Sequence, residues 1–373
     1  MSVSTTAIAA TTAGEDRPVR RRAAFRKLRV SGVEKLCADA VAVSFAVPEE
    51  LADEFDFLPG QSLTLRRQHE GREERRSYSI CARRGSELRI GVRRVPGGLF
   101  STWLTEEVRP GDEVEVLAPT GRFVPDLQTD QHHVCFAAGS GITPILSIAS
   151  TLLHETGSTV TLVYGNRRSD TVMFSDELAE LKDRYPTRFE LVHVLSREPR
   201  ESDLFTGRLD AEKIRTLLSA VINPADTDHW WLCGPYGMVT DAQQVLQDVG
   251  AVPEQVHTEL FFVDAAPPEP VHREDETAVD GPASEVTVIL DGRKTSMSLS
   301  RNVPILDGAQ QVRPDLPFAC KGGVCGTCRA RVTSGQVDMR RNFALEESEV
   351  ADGFVLTCQS LPVSDSVTVD YDA

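Results

Sequence analysis

Four of the eight cysteines fall in one pattern, Cys320-x4-Cys325-x2-Cys328-x29-Cys358. A loop that brings four sulfurs around one small centre must wrap tightly, and bulky side chains do not fit inside it. Gly322, Gly323 and Gly326 meet that demand, and their backbone N–H groups can point at sulfur. The first three spacings match a ligand pattern for a [2Fe–2S] cluster, in which four thiolates hold two bridged irons. The competing reading is a structural zinc site of four cysteines, which usually pairs its ligands as two C-x2-C knuckles. Here a single C-x2-C is present and an x4 gap replaces the other. Of the other cysteines, Cys37, Cys81 and Cys135 lie in strand-like runs and read as inert buried thiols.

A chain of 373 residues exceeds the size at which one core stops growing, so two or three domains are expected. The net charge of -16 argues against nucleic acid or an anionic membrane as the main partner. No apolar run approaches the ~20 residues that span a bilayer. In the N-terminal "MSVSTTAIAATTAGEDRPVRRR" the basic cluster follows the short apolar "AIAA" instead of preceding it. That order reads as a disordered tail over residues 1–23 and not as a secretory signal, which places the chain in a reducing cytoplasm. There, clustered cysteines mean metal or redox work more often than disulfides.

Three textures follow the tail. Over 24–126, short strand-like runs ("AVAVSFAV", "QSLTLRR", "RRSYSICA", "LRIGVRRV", "DEVEVLAP") are separated by Gly and Pro turns, which suggests an antiparallel barrel. One helix, "LFSTWLTEEV", interrupts it with Leu99, Trp103 and Leu104 on a shared face. Over 127–263, strand and helix patterns alternate from "HHVCFAAGSG" to "YGMVTDAQQVLQDVG", the texture of a doubly wound parallel sheet. Residues 264–284 are rich in Pro and acidic residues with little to bury, and read as a linker. The remaining unit, 285–373, holds the cysteine pattern. In it "EVTVILDGRKTSMSL" reads as a hairpin, "VPILDGAQQV" as a helix and "CRARVTSGQVDM" as one strand. This unit resembles plant-type ferredoxins, which implies a β-grasp domain with its cluster near the surface.

Two stretches of the barrel region carry further chemistry. In "RSYS", a guanidinium at Arg76 can pair with a pyrophosphate and a tyrosine at Tyr78 can stack on a flat heteroaromatic ring. In "VPGGLFSTWL", Gly97 and Gly98 before a helix allow close backbone approach to phosphate. Taken singly, each is an ordinary strand or turn; together inside a barrel they point to a flavin. The pair resembles the ferredoxin–NADP reductase superfamily. That resemblance implies that Arg76 binds flavin phosphate, Tyr78 stacks on the isoalloxazine and Ser79 lies near its N5, with Ser77 between them. It also implies a phosphate-binding turn at Gly97, Gly98, Ser101 and Thr102. The pattern favours FAD, with FMN as the alternative.

"AAGSGITP" follows the first strand of the alternating region and opens a helix, where a dinucleotide pyrophosphate would sit. Pro144 stands in the place of the last glycine of G-x-G-x-x-G, so alone the loop says little. In the resembled superfamily G-x-G-x-T-P is a common form, which implies that Gly139, Gly141, Thr143 and Pro144 border the nicotinamide nucleotide. The same likeness places Cys233 of "LCGP", with Gly234, beside the nicotinamide C4. Arg167 and Arg168 in "YGNRRSD" and Ser196 and Arg197 in "VLSREP" suit a 2′-phosphate, so NADPH is expected, with NADH possible and Asp170 as the dissenting charge. In "TELFF", Glu259-x-Phe261 resembles the Glu-x-Tyr end of chloroplast-type reductases. Glu259 is then expected at the reaction centre and Phe261 over the flavin, although a core phenylalanine fits the residues equally well.

The expected architecture is therefore an antiparallel flavin-binding β-barrel, a doubly wound parallel-sheet nucleotide domain and a C-terminal β-grasp [2Fe–2S] ferredoxin domain. Electron counting orders the cofactors. A nicotinamide gives electrons in pairs, a [2Fe–2S] centre takes one, and a flavin can sit between them. This domain order resembles reductase components of bacterial multicomponent oxygenases, and within them the reductase subunits of phenylacetyl-CoA epoxidases, through "YGNRR", "DLFTGRLD", "CKGGVCGTCRARV" and "RNFALE". The resemblance implies oxygenase subunits, with a di-iron centre, as partners. A reductase for a ring-hydroxylating or steroid hydroxylase oxygenase is the alternative, and a zinc-holding scaffold with inert flavin motifs is the alternative from another class.

Overall fold

The computed structural model describes residues 24–69, 71–262, 282–345 and 347–373. The N-terminal tail and nearly all of the segment read as a linker lie outside the described residues. Two compact units result, one within Ala24–Asp264 and one within Ala265–Ala373. Among the described residues no helix is long and apolar enough to cross a membrane.

The first unit opens with six antiparallel strands: β1 (Arg26–Cys37), β2 (Ala40–Ala46), β3 (Ser62–His69), β4 (Arg72–Ser79), β5 (Leu88–Arg93) and β6 (Glu113–Val116). Their order is β4-β3-β6-β1-β2-β5, and a bridge from Ile80 to Ile90 joins the two ends. Alternation explains the interior: Leu28 and Val30, Val43 and Phe45, and Leu63 and Leu65 share the barrel core, while Ala40 and Ala42 on the other face of β2 are buried elsewhere. β1 was not among the strand-like runs, because its two core residues are set in "RKLRVSGVEKLC", a stretch dominated by polar and charged residues.

The short helix α1 (Leu99–Thr102) continues as a π-turn over Trp103–Glu107. Here the expected face is corrected. Leu99 is 54% exposed, while Phe100 and Leu104 are buried, four residues apart, and Trp103 packs edge-on against Phe100 at 5.3 Å. A wider i→i+5 turn rotates the face that a regular helix would bury.

The parallel sheet follows: β7 (His132–Ala138), α2 (Ile142–Glu155), β8 (Thr159–Asn166), α3 (Ser175–Arg184), β9 (Phe189–Leu195), α4 (Ala211–Ala220), β10 (His229–Pro235), α5 (Tyr236–Asp248) and β11 (Val256–Phe262). The strand order β11-β10-β7-β8-β9 reverses beside β7, so the C-terminal ends of β7 and β10 flank a switch point, where ligands bind in open α/β sheets. Barrel and sheet share one core: Ala40, Ala42 and Cys81 pack with the buried face of α2. Arg89 on β5 pins them together, reaching Glu177 of α3 at 2.9 and 3.0 Å and Glu34 at 2.7 Å. The two bodies also touch at Gly91, where an added Cβ would lie 2.4 Å from Thr143 Cγ2.

The second unit contains β12 (Ala283–Leu290), β13 (Arg293–Ser300), α6 (Ile305–Ala309), β14 (Arg329–Ser334), β15 (Val337–Met339), α7 (Glu347–Ala351), β16 (Phe354–Leu356), β17 (Ser360–Pro362) and β18 (Ser366–Asp370). β12 starts at Ala283, inside the segment read as linker. The sheet order is β13-β12-β18-β14-β16, with β12 and β18 parallel and the other pairs antiparallel. α6 lays Ile305, Leu306 and Ala309 on the core formed with Val286, Val288 and Val367. "CRARVTSGQVDM" is two strands, not one. Gly335 takes φ 80 with Ser366 O only 2.0 Å from where a Cβ would stand, and the chain turns there into β15.

Candidate active site and metal centre

Four of the sequence motifs meet within the first unit. Consecutive residues of β4 alternate in direction, so Arg76 and Tyr78 share one face and Ser77 and Ser79 the other. Ser77 Oγ lies 3.1 Å from Thr64 Oγ1. Ser79 is buried and its hydroxyl donates to Glu259 Oε2 on β11 at 3.3 Å. Glu259 pairs in register with Cys233 on β10. Burial raises the Glu259 carboxyl to about 8, against the pull of the Ser79 hydroxyl. Burial also pushes the Cys233 thiol well up, and the neighbouring Glu259 carboxyl adds to it, so the sulfur is held as a neutral thiol.

The glycine loop reaches the same place. Gly141 has an ordinary φ of -61, yet a Cβ on it would stand 2.2 Å from Cys233 O and 2.9 Å from Gly234 N. Its lack of a side chain is therefore what lets the loop after β7 lie on the end of β10. Gly139 takes φ 57, its carbonyl accepts the Tyr164 hydroxyl at 2.9 Å, and a Cβ there would be 3.3 Å from Arg93 Nη1. Thr143 is buried with its hydroxyl committed to Ser140 O at 3.0 Å, and Pro144 is buried in the first turn of α2. Phe261, two residues beyond Glu259 on the same face of β11, packs half-buried against the core shared by barrel and sheet.

The turn before α1 is well defined. Gly98 N bonds Val95 O at 2.9 Å with Gly97 at φ 73, the geometry that Pro96 and Gly97 favour in a type II turn. Ser101 Oγ accepts from Val95 N at 3.1 Å and donates to Gly98 O at 3.3 Å, locking the turn, with Thr102 N on Gly98 O at 3.1 Å. Phe100 brings this segment within 6.1 Å of the Tyr78 ring. Arg76 is exposed and has no carboxylate partner among the described residues, so its charge is available to a ligand.

The basic residues lie two strands (Arg167, Arg168) and three strands (Ser196, Arg197) away from Cys233, along the same C-terminal edge. Arg197 N bonds Arg167 O at 2.8 Å and Ser196 N bonds Asn166 O at 2.9 Å, which sets both pairs side by side. Arg168 is paired with Asp170, and Glu198 accepts from Ser169 N at 2.8 Å and its hydroxyl at 2.9 Å. Two carboxylates thus stand among the three arginines. Sequence reasoning passed over Tyr164 and Arg93, which meet at Gly139, and Asn166 beside Tyr164; the meeting of Arg93 with Gly139 has no local signal, because it depends on barrel and sheet packing together.

In the second unit the four cysteines fall into two pairs. Cys325 donates to Cys320, which, with the amides of Gly322, Val324 and Cys325, draws the Cys320 thiol down to about 5; Gly322 N lies 3.3 Å from its sulfur. Cys328 likewise donates to Cys358 and lowers it, while Cys325 and Cys328 are raised as donors. Within each pair one thiol is lowered and the other raised, because the two adjacent sulfurs share a proton. Two thiol pairs suit two irons. Positive φ values at Lys321, Gly323 and Gly326 fold the loop, and a Cβ on Gly323 would meet Gln359 Cγ at 3.1 Å and Arg341 O at 3.2 Å. Gln359 Nε2 closes it from the other side on Lys321 O at 2.8 Å and Cys358 O at 3.0 Å.

Comparison with known proteins agrees with this arrangement. Residues 27–124 match the family described as oxidoreductase FAD-binding domain, 136–244 the oxidoreductase NAD-binding domain, and 288–363 the 2Fe-2S iron-sulfur cluster binding domain. A subunit of 1,2-phenylacetyl-CoA epoxidase from Escherichia coli (strain K12) is 42% identical over 94% of this chain and 98% of its own. The chain belongs to the ferredoxin–NADP reductase superfamily, in the branch that carries a C-terminal [2Fe–2S] domain. The ferredoxin reductase component of a 3-ketosteroid-9-alpha-monooxygenase from Rhodococcus rhodochrous is 34% identical over 92% of this chain and 96% of its own. Among solved structures, phthalate dioxygenase reductase shares the fold with a TM-score of 0.58 at 24% identity, over 93% of this chain and 98% of that one. As a member of this superfamily the chain is an oxidoreductase that uses FAD, a pyridine nucleotide and a [2Fe–2S] cluster.

Proposed function

We propose that the chain is the reductase of a multicomponent monooxygenase, taking electrons from NADPH and delivering them to the di-iron oxygenase subunits of a phenylacetyl-CoA epoxidase. The observation that carries the reading is the convergence of Ser79, Glu259, Cys233 and Gly141, contributed by four separate stretches, at the switch point of the parallel sheet. When bound, the flavin accepts an electron pair from the nicotinamide and passes electrons singly to the cluster.

The chain's own residues do the rest. Arg76 neutralises flavin phosphate, Tyr78 offers its ring to the isoalloxazine, and Gly97, Gly98, Ser101 and Thr102 form a turn that phosphate can approach. Glu259 stays protonated at neutral pH and, through Ser79 Oγ, holds a proton at the centre where charge changes during reduction. Cys233 presents a neutral thiol that positions the nicotinamide without adding charge. Gly139, Gly141, Thr143, Pro144 and Gly234 shape the loop that admits the nucleotide, and Arg167, Arg168, Ser196 and Arg197 attract a 2′-phosphate. Phe261 covers the flavin side of β11. Cys320, Cys325, Cys328 and Cys358 hold the cluster.

The epoxidase is favoured over the steroid hydroxylase by the 42% against 34% identity of the respective relatives. The test is reconstitution: purified chain and NADPH are supplied to phenylacetyl-CoA epoxidase subunits and, separately, to a ketosteroid hydroxylase, and coupled product formation is measured. Coupling to the epoxidase supports the proposal. Coupling only to the hydroxylase, or faster turnover with NADH than with NADPH, contradicts the corresponding part.

A further inference from the structure

The cysteine loop contains one residue out of keeping with its neighbours. Lys321 stands between Cys320 and Gly322 with φ 52, in the left-handed region that glycine occupies at Gly323 and Gly326. A side chain is disfavoured there, and lysine lacks the short polar group with which Asn or Asp offsets the cost. A lysine kept in such a conformation, in a loop otherwise built on glycine, implies a task for its side chain. That side chain is fixed at its far end. Its Nζ donates to Asp307 Oδ1 on α6 at 2.8 Å and to Gln310 Oε1, one residue past α6, at 2.7 Å. It also lies 4.8 Å from the centre of the Phe318 ring. The main chain is fixed too, since the Lys321 carbonyl accepts from Gln359 Nε2 at 2.8 Å.

This clamp acts on the loop in two ways. It holds the chain in the turn that aims Gly322 N at the Cys320 sulfur, 3.3 Å away. Hydrogen bonds to sulfur help set the potential of an iron–sulfur cluster. It also fixes a pair of charges. Lys321 follows Cys320 directly, and the side chains of Lys321 and Asp307 are only 31% and 27% exposed. Partly buried charges are screened less than exposed ones. One-electron reduction adds a negative charge to a cluster, which the ammonium favours and the carboxylate opposes. Asp307 therefore both tethers the lysine and moderates its field.

We infer that Lys321 is a positioning residue for the [2Fe–2S] cluster: tethered by Asp307 and Gln310, it holds the ligand loop in its left-handed turn, and its charge, balanced by Asp307, sets how readily the cluster accepts an electron. The inference rests on the reading of Cys320, Cys325, Cys328 and Cys358 as cluster ligands, and it brings in α6, which the cysteine spacing does not involve.

Three variants of the full cofactor-loaded chain test it: Lys321→Gln, Lys321→Arg and Asp307→Asn. The readouts are the midpoint potential of the cluster, from an anaerobic dye-mediated titration followed by EPR, and the rate at which a chelator removes iron. K321Q is expected to lower the one-electron reduction equilibrium by about threefold or more and D307N to raise it by as much, each about 28 mV at about 59 mV per tenfold. K321Q is also expected to lose iron about threefold faster or more, because the tether shortens and its charge is gone. K321R keeps charge and donors and is expected to hold both readouts within about threefold of wild type. Potentials of K321Q and D307N that move in the same direction, or that both stay within about threefold of wild type, overturn the assignment and leave the ion pair a structural contact. Iron loss from K321Q at the wild-type rate overturns it equally. Iron and sulfide in the wild type are measured first, so a failure of the cluster reading shows there and not in the variants.

Discussion

Gly141→Ala is the sharpest structural test of how the nucleotide loop is seated. The φ at Gly141 is -61, so alanine meets no backbone penalty and only space decides the outcome. The new methyl would lie 2.2 Å from Cys233 O, and opening that contact to even 3.0 Å requires a shift of about 0.8 Å between two backbone segments. Neither segment is a flexible side-chain end. Overpacking of this kind costs about 1–3 kcal/mol. At about 2–4 °C per kcal/mol for a unit of this size, the melting temperature should fall by about 2–12 °C. A misplacement near 1 Å at a reacting centre costs about 100-fold in rate. Thermal melts, together with kcat/KM for nucleotide-driven dye reduction, measure both effects. Gly237→Ala is the control: its added Cβ meets nothing within 4 Å, and in α5 it should be neutral or stabilising by about 0.5–1 kcal/mol. A G141A protein with wild-type melting and wild-type kcat/KM would refute the reasoning, because it would mean that the loop does not lie on the end of β10.

Other outcomes follow from the ionisable groups and the ligands. In the folded chain Glu259 titrates near 8 instead of its ordinary 4.5, so between those values the native state keeps a proton that the unfolded chain has released. Stability should fall as pH rises from about 4.5 through about 8, and Glu259→Gln should flatten that slope in urea melts; an unchanged slope would show that the carboxyl is ordinary. His133 behaves in the opposite sense: burial first, then His229, lowers it to about 4, and Trp231 Nε1 donates to its Nδ1 at 3.2 Å. The unfolded chain gains the proton first, so stability should drop as pH falls from about 6.5 toward 4, and His133→Gln should lessen the drop. Cys358→Ser should lose bound iron and the cluster absorbance while nucleotide-driven dye reduction at the flavin continues; full retention of iron would remove Cys358 from the ligand set.

Much of this was legible in the sequence because the signals were local. Cysteine spacing, the VPGG turn and the alternation of strand and helix from His132 to Phe262 depend on near neighbours in the chain. The parts that were not legible depend on distant contacts. β1 hides two core residues in a largely polar and charged stretch, and only pairing with β2 and β6 makes it a strand. The face of α1 shifted because a π-turn inserts itself, which an i, i+3, i+4 pattern does not anticipate. Gly335 broke an otherwise continuous strand pattern because Ser366 O crowds the position from 31 residues away. In the site, Ser79 and Glu259 were named separately, but their hydrogen bond joins residues 180 apart.

The route of electrons is the central claim, and freeze-quench EPR on the anaerobic, cofactor-loaded chain tests it most directly. After addition of NADPH the wild type should bleach in the flavin region and then develop the signal of a reduced [2Fe–2S] cluster, whereas Cys358→Ser should show only the flavin change. Flavin bleaching in the wild type without any cluster signal, or a cluster signal that precedes flavin reduction, would contradict the account.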